Sequence, residues 1–371
     1  MKIGIDATIV AGARIVGISR FVVNLVAEYA RLPDAHTYEL FYRPRALRRP
    51  HRIWRPRDPR FRVRLLQEPF HRARFRTLDV FHATYQRLPR SANLVPYVGS
   101  LHDIYYLSEP TMGSARTRSL EQTRYRDVAA RSRLIMTLSE FSKREIVRLL
   151  AVEPSRVRVV PLAADPAYVP QPPERVAVAR RRYGLGRAYV LFGGGFGRRK
   201  NAVAALRAFA TALPRLPREI DFAVSGGSGP TEREARRVIH DAGLGDRIKV
   251  LGFVADADHA ALMTGSVCYF FPSLLEGFGL PALEAMACGA PVIASSTTSL
   301  PEVCGDAARL VDPTDETAMA DALVDVAVHG SLREDMRRAG LARAKAFSWR
   351  AAARATLDLY RDAASHQPSC A

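Results

Sequence analysis

The chain predicts an α/β protein built from two doubly wound, parallel-sheet domains. Three observations predict this. At 371 residues it is too long for one typical domain. Short apolar runs alternate with helix-like patterns, as βαβ units require. That alternation breaks off in a proline-rich stretch, Asp165–Pro173, and then begins again. A hydrophobic content of 48% lets both domains bury sizeable cores and excludes global disorder.

In the first half the strand candidates are Lys2–Asp6, Tyr38–Tyr42, Val80–Thr84, Val95–Leu101, Leu134–Leu138 and Arg158–Leu162. After the first strand the loop around Gly17-Ile-Ser-Arg20 turns into a helix from Phe21 to Arg31, where Phe21, Leu25 and Val26 recur at helical spacing. Ser142-Lys-Arg-Glu145 reads as a capping box that opens a helix through Leu150. Residues 1–170 are assigned to the first domain, 171–186 to a linker and 187–351 to the second domain. There the strand candidates are Tyr189–Phe192, Asp221–Ser225, Lys249–Phe253, Val267–Phe271, Val292–Ala294 and Arg309–Val311. Phe347-Ser-Trp349, followed by Ala351 to Ala363, reads as a closing amphipathic helix. In doubly wound domains ligands meet the carboxyl ends of the strands, so a cleft between two such sheets is the expected site.

The most informative stretch runs from Phe271 to Ala294. An apolar strand opens into a glycine-broken loop, and Pro281 stands where a first helical residue belongs. A short helix reaches Gly289, which reads as its cap, and Pro291-Val-Ile-Ala294 starts the next strand. The free amides and the positive dipole end of that helix form a ready anion site. Glu276 lies on the loop and Glu284 on the helix. With a rise of ~1.5 Å per residue the two carboxylates stand roughly 10 Å apart. That spacing suits two ends of one extended ligand and is too wide for a shared proton.

Leu191-Phe-Gly-Gly-Gly-Phe-Gly197-Arg-Arg-Lys200-Asn201 also leads from a strand into a helix. Its glycines permit close backbone approach to a ligand, and the cations after them supply positive charge. It is not a P-loop, because no Gly precedes Lys200 and Asn201 stands where Ser or Thr would meet magnesium. Nor is it a dinucleotide fingerprint, since Gly195-Phe-Gly197 lacks the third glycine. In the first half, Leu101-His102-Asp103-Ile104 ends a strand with a His–Asp pair.

Glu276 and Glu284 in their strand–loop–helix setting resemble the E-x7-E signature of retaining, nucleotide-sugar-dependent glycosyltransferases of the GT-B fold, in particular glycosyltransferase family 4. The resemblance covers nearly the full chain and is sharpest after Tyr189; between Arg43 and Arg76 it is silent. It implies two Rossmann-like domains with an interdomain cleft, and a C-terminal crossover helix (about 352–371) that returns to the first, acceptor-side domain. It implies that Glu276 contacts the donor sugar's hydroxyls, that Glu284 contacts the ribose, and that the Gly279 and Leu280 amides hold phosphate. Arg199 and Lys200 match the family's Arg-Lys-Asn element that neutralises the donor diphosphate, with adjacent Arg198 leaving the register open. His102, with Asp103, matches the motif whose His lies by the sugar's reacting end. Gly12 and Gly17-Ile-Ser-Arg20 match the first glycine-rich loop, which places Gly17 against the diphosphate and Gly12 and Arg20 on the acceptor side, to which Asp103 of the His-Asp motif is also assigned. Thr8 and Ser19 depart from the family pattern there. Gly252-Phe253-Val254 matches the base-contacting strand end, a buried strand terminus being the alternative. Thr137 to Ser142 resembles a further family segment.

Net charge is +18, almost wholly through arginine. Between Arg43 and Arg76 thirteen Arg face two acids, Asp58 and Glu68, with Trp54, Phe61, Phe70 and Phe75 interleaved. Nucleic acid is disfavoured because no base-reading motif accompanies the patch. An anionic membrane surface and plain solvated surface both remain open. The four cysteines, Cys268, Cys288, Cys304 and Cys370, form no ligand or disulfide pattern, which favours a reducing, cytoplasmic setting. No signal peptide or spanning run is visible. The leading expectation is a retaining glycosyltransferase that moves a hexose, mannose being one candidate, from a nucleotide sugar to a saccharide or lipid-linked acceptor, without metal or other cofactor. In such a reaction negative charge grows on the leaving diphosphate. No carboxylate presents itself as a covalent nucleophile, so a same-face displacement is expected. A catalytically silent nucleotide-sugar or polyanion-binding protein is the alternative, and an NAD-dependent oxidoreductase a distant third.

Overall fold

A computed structural model describes residues 1–12, 17–48, 50–89, 94–109, 113–217 and 219–365. The chain divides into two compact units, Met1–Leu162 with Ser348–Ala371, and Ala163–Phe347. Each is built on one wholly parallel sheet.

In the first unit the strands are β1 (Lys2–Asp6), β2 (Thr37–Tyr42), β3 (Phe61–Leu65), β4 (Val80–Ala83), β5 (Tyr97–Ser100), β6 (Leu134–Thr137) and β7 (Val157–Val159), in the order β3-β2-β1-β4-β5-β6-β7. The second unit carries β8 (Ala188–Gly193), β9 (Ile220–Ser225), β10 (Ile248–Gly252), β11 (Cys268–Phe271), β12 (Val292–Ser295) and β13 (Ala308–Val311), in the order β10-β9-β8-β11-β12-β13. Both faces of such sheets are covered, so the central strands read as unbroken apolar runs. Tyr189, Val190, Leu191 and Phe192 of β8 are all buried. In each sheet the winding reverses beside the first strand, at β1/β4 and at β8/β11, and a crevice opens at the carboxyl ends there.

Strand β3 has no counterpart among the expected strands. Phe61-Arg-Val-Arg-Leu65 alternates apolar and charged residues, and the surrounding arginines conceal that period of two. It forms an edge, where exposed charge suits a strand that must not pair further. Its Phe61 ring stacks on Tyr38 at 4.6 Å, and Tyr38 stacks on Tyr29 at 5.1 Å.

Residues 171–186, read as a linker, instead contain the helix Pro173–Arg182, which belongs to the second unit. Proline that breaks a segment also suits a first helical turn, because its fixed φ matches and its missing N–H is not needed there. Val176 of this helix lies over Gly265, leaving no room for a Cβ at that glycine. The helix after β6 spans Glu140–Leu150 and is capped by Ser139, whose Oγ accepts the Ser142 N–H at 3.0 Å. The box placed at Ser142–Glu145 is therefore corrected by one turn. Glu145 pairs with Arg148 at 2.8 Å instead.

The helix Trp349–Ser365 packs in the first unit, against the helix Ile18–Arg31. Tyr360 Oη sits 2.6 Å from His82 Nδ1 and 3.3 Å from Tyr29 Oη, while His82 Nε2 meets Ser100 Oγ at 2.8 Å. Burial pushes the His82 pKa down to about 3, so the ring is neutral and serves as a fixed hydrogen-bonding wedge.

The arginine-rich segment is less of a solvated face than its composition implies. Arg60 pairs with Asp58 and Asp34 and donates to the carbonyls of Leu32 and Ala30. Arg64 and Arg74, with Lys2, converge on buried Glu39. Of the interleaved aromatics Phe61 and Phe75 are core residues, and Phe70 is exposed. No helix among the described residues is long and apolar enough to cross a membrane.

Candidate functional site

The second unit concentrates charge at its sheet reversal. The loop after β8 contributes Arg199 and Lys200, on a 3-10 turn Arg198–Lys200, and the loop after β11 contributes Glu276. Arg199 Nη1 stands 2.5 Å and Lys200 Nζ 2.7 Å from the two Glu276 carboxylate oxygens. The loops are also tied by backbone. Leu274 N–H donates to the Arg199 carbonyl at 2.9 Å, and Arg199 Nη1 donates to the Leu275 carbonyl at 2.8 Å. Arg198 is exposed, and Arg199 is the arginine paired with Glu276. Burial alone would raise the Glu276 pKa, but the Arg199 and Lys200 charges outweigh it and hold the carboxyl at about 2. Lys200 Nζ also lies 4.5 Å from the Phe271 ring centroid.

Glycines shape this loop for internal reasons. A Cβ on Gly194 (φ +112°) would fall 2.5 Å from the Lys200 Cγ, and one on Gly195 (φ +59°) 2.2 Å from the Gly227 carbonyl oxygen. Crowding by the Lys200 side chain of the same loop accounts for Gly194, and close approach of the Gly226–Gly227 loop accounts for Gly195. Asn201 adopts φ +64°, which Asn tolerates, and its side-chain amide donates to the Pro313 carbonyl at 2.7 Å. Its place after Lys200 is thus a turn requirement.

Gly279 (φ +98°) starts the helix Leu280–Ala287, with Pro281 at the second helical position. A Cβ at Gly279 would lie 2.5 Å from Leu300 Cδ2. Pro281 has no N–H, and the Ala282 and Leu283 amides already donate to the Gly279 carbonyl at 3.0 and 3.3 Å, so in the first turn it is the Leu280 amide that lacks an acceptor within its own helix. At the other end Gly289 (φ +74°) donates to the Met286 carbonyl and Ala290 to the Ala285 carbonyl, both at 2.9 Å, which is a Schellman cap. Glu284 is buried on this helix, and its charge raises the pKa of Tyr269 and Cys288, behind burial in each case. Thr298 and Ser299 were not foreseen. Thr298, held at φ +62°, accepts the Glu276 N–H on its Oγ1 at 3.3 Å, and Ser299 Oγ donates to the Glu276 carbonyl at 2.8 Å. They fix the backbone of Glu276, and no sequence pattern flags them. Phe253, at the end of edge strand β10, is half exposed and Val254 is buried.

In the first unit His102 follows β5. It is buried, with Nε2 donating to the Thr84 carbonyl at 2.9 Å and its ring set edge-on to Phe21 at 5.0 Å. Burial lowers its pKa, so the ring is neutral with Nδ1 left as an acceptor. Thr84 in turn donates to the Asp6 carbonyl at 2.6 Å, tying His102 to the β1/β4 reversal. Asp103 accepts the Tyr105 N–H at 3.3 Å, a local turn contact that by itself explains an acid there. Gly17 (φ +51°) precedes the helix Ile18–Arg31, in whose first turn Arg20 is buried. Gly12 stands at the other end of that loop, and 13–16 between them lie outside the described residues.

Asp256-Ala-Asp258 sits in the first turn of the helix Asp256–Thr264, where the two acids face separate partners. Asp258 pairs with Arg182 at 2.6 Å, and Asp256 accepts from Tyr168 Oη at 3.3 Å. No group of three or more potential ligands among the described residues could hold a metal ion. Cys268, Cys288 and Cys304 are free and buried, with thiols pushed up to about 12 by burial. They are unreactive packing residues. Cys370 lies outside the described residues.

Comparison with known proteins agrees with this architecture. The family described as Glycosyl transferases group 1 matches residues 179–343, and Glycosyltransferase Family 4 matches residues 15–168. The O-antigen chain mannosyltransferase B of Escherichia coli is 32% identical over 284 residues, spanning 76% of this chain and 74% of its own. The MMP alpha-(1->4)-mannosyltransferase of Mycolicibacterium hassiacum is 33% identical over 64% of this chain and 56% of its own. HepE of Anabaena, solved with UDP and glucose, superposes with a TM-score of 0.74 at 18% identity, covering 98% of this chain and all of that one. With two family models laid end to end over its two sheets and a relative of that identity matched along three quarters of its length, the chain belongs to the glycosyltransferases of group 1, family 4, with the GT-B fold.

Proposed function

We propose that the protein transfers a hexose, with mannose favoured, from a nucleoside diphosphate sugar to a saccharide or lipid-linked acceptor in glycan biosynthesis, with retention of anomeric configuration. One observation carries this reading. Arg199 and Lys200 are gathered on a buried carboxylate at the carboxyl end of β8 and β11, three residues before the glycine that starts a capped helix. That arrangement supplies what a departing diphosphate needs, namely two cations and the Gly279 and Leu280 amides at the positive end of a helix. The sugar preference comes from relatives named as mannosyltransferases, and the donor class from a structural neighbour that holds UDP.

In the proposed reaction Lys200 and Arg199 exchange part of their bond to Glu276 for the donor's phosphate oxygens. Glu276 is then released to accept hydrogen bonds from the sugar hydroxyls. Glu284 takes the ribose, and Phe253 with Val254 the base. The bond from the anomeric carbon to the diphosphate breaks while the acceptor oxygen bonds to the same face. The acceptor's proton passes to the departing phosphate oxygen, so charge balances without a covalent enzyme intermediate or a divalent ion. His102, kept neutral by burial, orients the sugar and does not transfer a proton. Gly12, Gly17, Arg20 and Asp103 serve the diphosphate and acceptor from the first unit. Membrane association through the arginine-rich segment is limited to its exposed members and Phe70.

The test is product stereochemistry. GDP- and UDP-hexoses are incubated with a panel of mannosides, and the anomeric coupling of the new linkage is read by NMR. An axial linkage from an axial donor supports the reading, and an inverted linkage rejects it. No release of nucleotide from any donor that binds leaves the silent binding protein as the better account.

A further inference from the structure

We propose that the first unit holds a dedicated oxyanion subsite for the acceptor, in which a phosphate group of the acceptor is bound between the guanidinium groups of Arg43 and Arg87. The proposal rests on the glycosyltransferase reading above and names the chemistry of the acceptor that such an enzyme would use.

The site is a cavity of about 450 Å³ lined by Arg43, Gln67, Glu68, His71 and Arg87 over the apolar side chains of Leu66 and Leu88. Its place in the fold follows from topology. Arg43 directly follows β2, Leu66 to Glu68 directly follow β3, and Arg87 lies just beyond β4. These strands are parallel, so all three loops emerge on the carboxyl edge, where open α/β sheets take their ligands. His102 emerges on the same edge after β5. In the sheet order β2 and β5 are three neighbours apart, roughly 14 Å at the usual strand spacing. That is the reach of a short saccharide whose reacting hydroxyl lies at His102 and whose charged end lies at Arg43.

The electrostatics favour an anion. Arg43 Nη2 has a loose contact with Asp6 Oδ2 at 3.6 Å and a long hydrogen bond to the Arg87 carbonyl at 3.4 Å. Among the described residues no carboxylate stands within ion-pair distance of the Arg87 guanidinium, although Asp6 is close enough to offset part of its repulsion from Arg43. Glu68 on the rim is directed to His71 Nε2, 3.4 Å away. The Arg87 pKa is lowered chiefly by the Arg43 charge, then by burial and by Arg124. Arg60, Arg64 and Arg74 of this segment have carboxylate partners that explain them. Arg43 and Arg87 instead repel each other beside a cavity, with the loose Asp6 contact offsetting only part of that repulsion. Two forked guanidiniums over an apolar floor match the oxygens of a phosphate. A phosphorylated sugar and a lipid-linked diphosphate present the same oxygens, and the experiment separates them.

Binding of mannose 1-phosphate, and of a short polyprenyl diphosphate in detergent micelles, is measured by calorimetry on the full chain at low salt. The variants are Arg87→Gln, Arg87→Lys and Arg43→Gln/Arg87→Gln, each also combined with Lys200→Ala to remove phosphate binding in the second unit. Arg87 is exposed, so its replacement leaves the core intact. The expected result is binding about tenfold weaker in Arg87→Gln, weaker still in the double variant and partly kept in Arg87→Lys. GDP affinity should be unchanged by the Arg87 changes. Dependence on Arg87 for only one ligand supports the subsite and identifies the source of its phosphate. Binding of both ligands within twofold of wild type in the double variant overturns the proposal. Loss through Lys200→Ala alone also overturns it, while leaving the donor reading standing. Wild-type protein that binds mannose 1-phosphate through Arg87 but no nucleotide would sink the donor reading and keep the subsite.

Discussion

Replacing Glu276 by Gln removes one charge and keeps the shape, so its effect can be worked from the site. The carboxyl is held at about 2 against an ordinary value of 4.5. At 1.36 kcal/mol per unit this corresponds to stabilisation on the order of 3 kcal/mol at neutral pH. Because the folded pKa is the lower one, that stabilisation is fully present above pH ~5, falls to about half near pH 3 and is gone below ~2. Glu276→Gln also leaves Arg199 and Lys200 partly buried beside a neutral group, a loss in the same direction. For a unit of this size the change lowers Tm by about 6–12 °C at pH 7. Urea unfolding of wild type and variant at pH 7, 5, 4 and 3 checks this through the difference between them, which should shrink as pH falls. The same variant frees two cations, so GDP or UDP should bind at least as tightly while sugar transfer is lost. A stability difference that stays constant from pH 7 to pH 3 would refute the reasoning, because it would mean that Glu276 carries no special charge pairing.

Other expectations follow from the same contacts. Lys200→Ala removes a charge-assisted contact and should weaken nucleotide diphosphate binding about 10- to 100-fold by calorimetry; an affinity within twofold of wild type would show that the phosphates lie elsewhere. Tyr360→Phe strips the hydroxyl from His82 Nδ1 and should cost about 1–3 kcal/mol in urea unfolding, with no change in nucleotide affinity. Gly195→Ala places a Cβ 2.2 Å from the Gly227 carbonyl at φ +59° and should lower Tm and donor binding together; a neutral outcome would mean that the two glycine loops separate freely. Transfer activity measured after exhaustive dialysis against EDTA should equal that with added Mg²⁺ or Mn²⁺.

Much of the fold was legible from periodicity alone. Twelve apolar runs lie on twelve of the thirteen strands, because a strand covered on both faces has little choice but Val, Ile, Leu and aromatic residues. The exception, Phe61–Leu65, lies at an edge where half its side chains meet solvent and its arginines blend into their surroundings. The prolines at 172 and 173 were ambiguous for a different reason, since the same ring geometry that breaks a chain also starts a helix.

The sequence by itself determined the chemistry at hand: the cations after β8, the paired glutamates, the glycine before a proline-started helix and the restart of the βαβ pattern. Each is local, resting on propensity or on the steric demands of a few neighbouring residues. Only the tertiary structure decided the partners. It joined Arg199 rather than Arg198 to Glu276, set Thr298 and Ser299 behind that carboxylate, brought Tyr360 to His82 across 278 positions of chain, and gathered Arg43 and Arg87 at one cavity. Ion pairs and buried hydrogen bonds depend on distance in space, and a parallel sheet joins loops whose separation along the chain carries no trace of it.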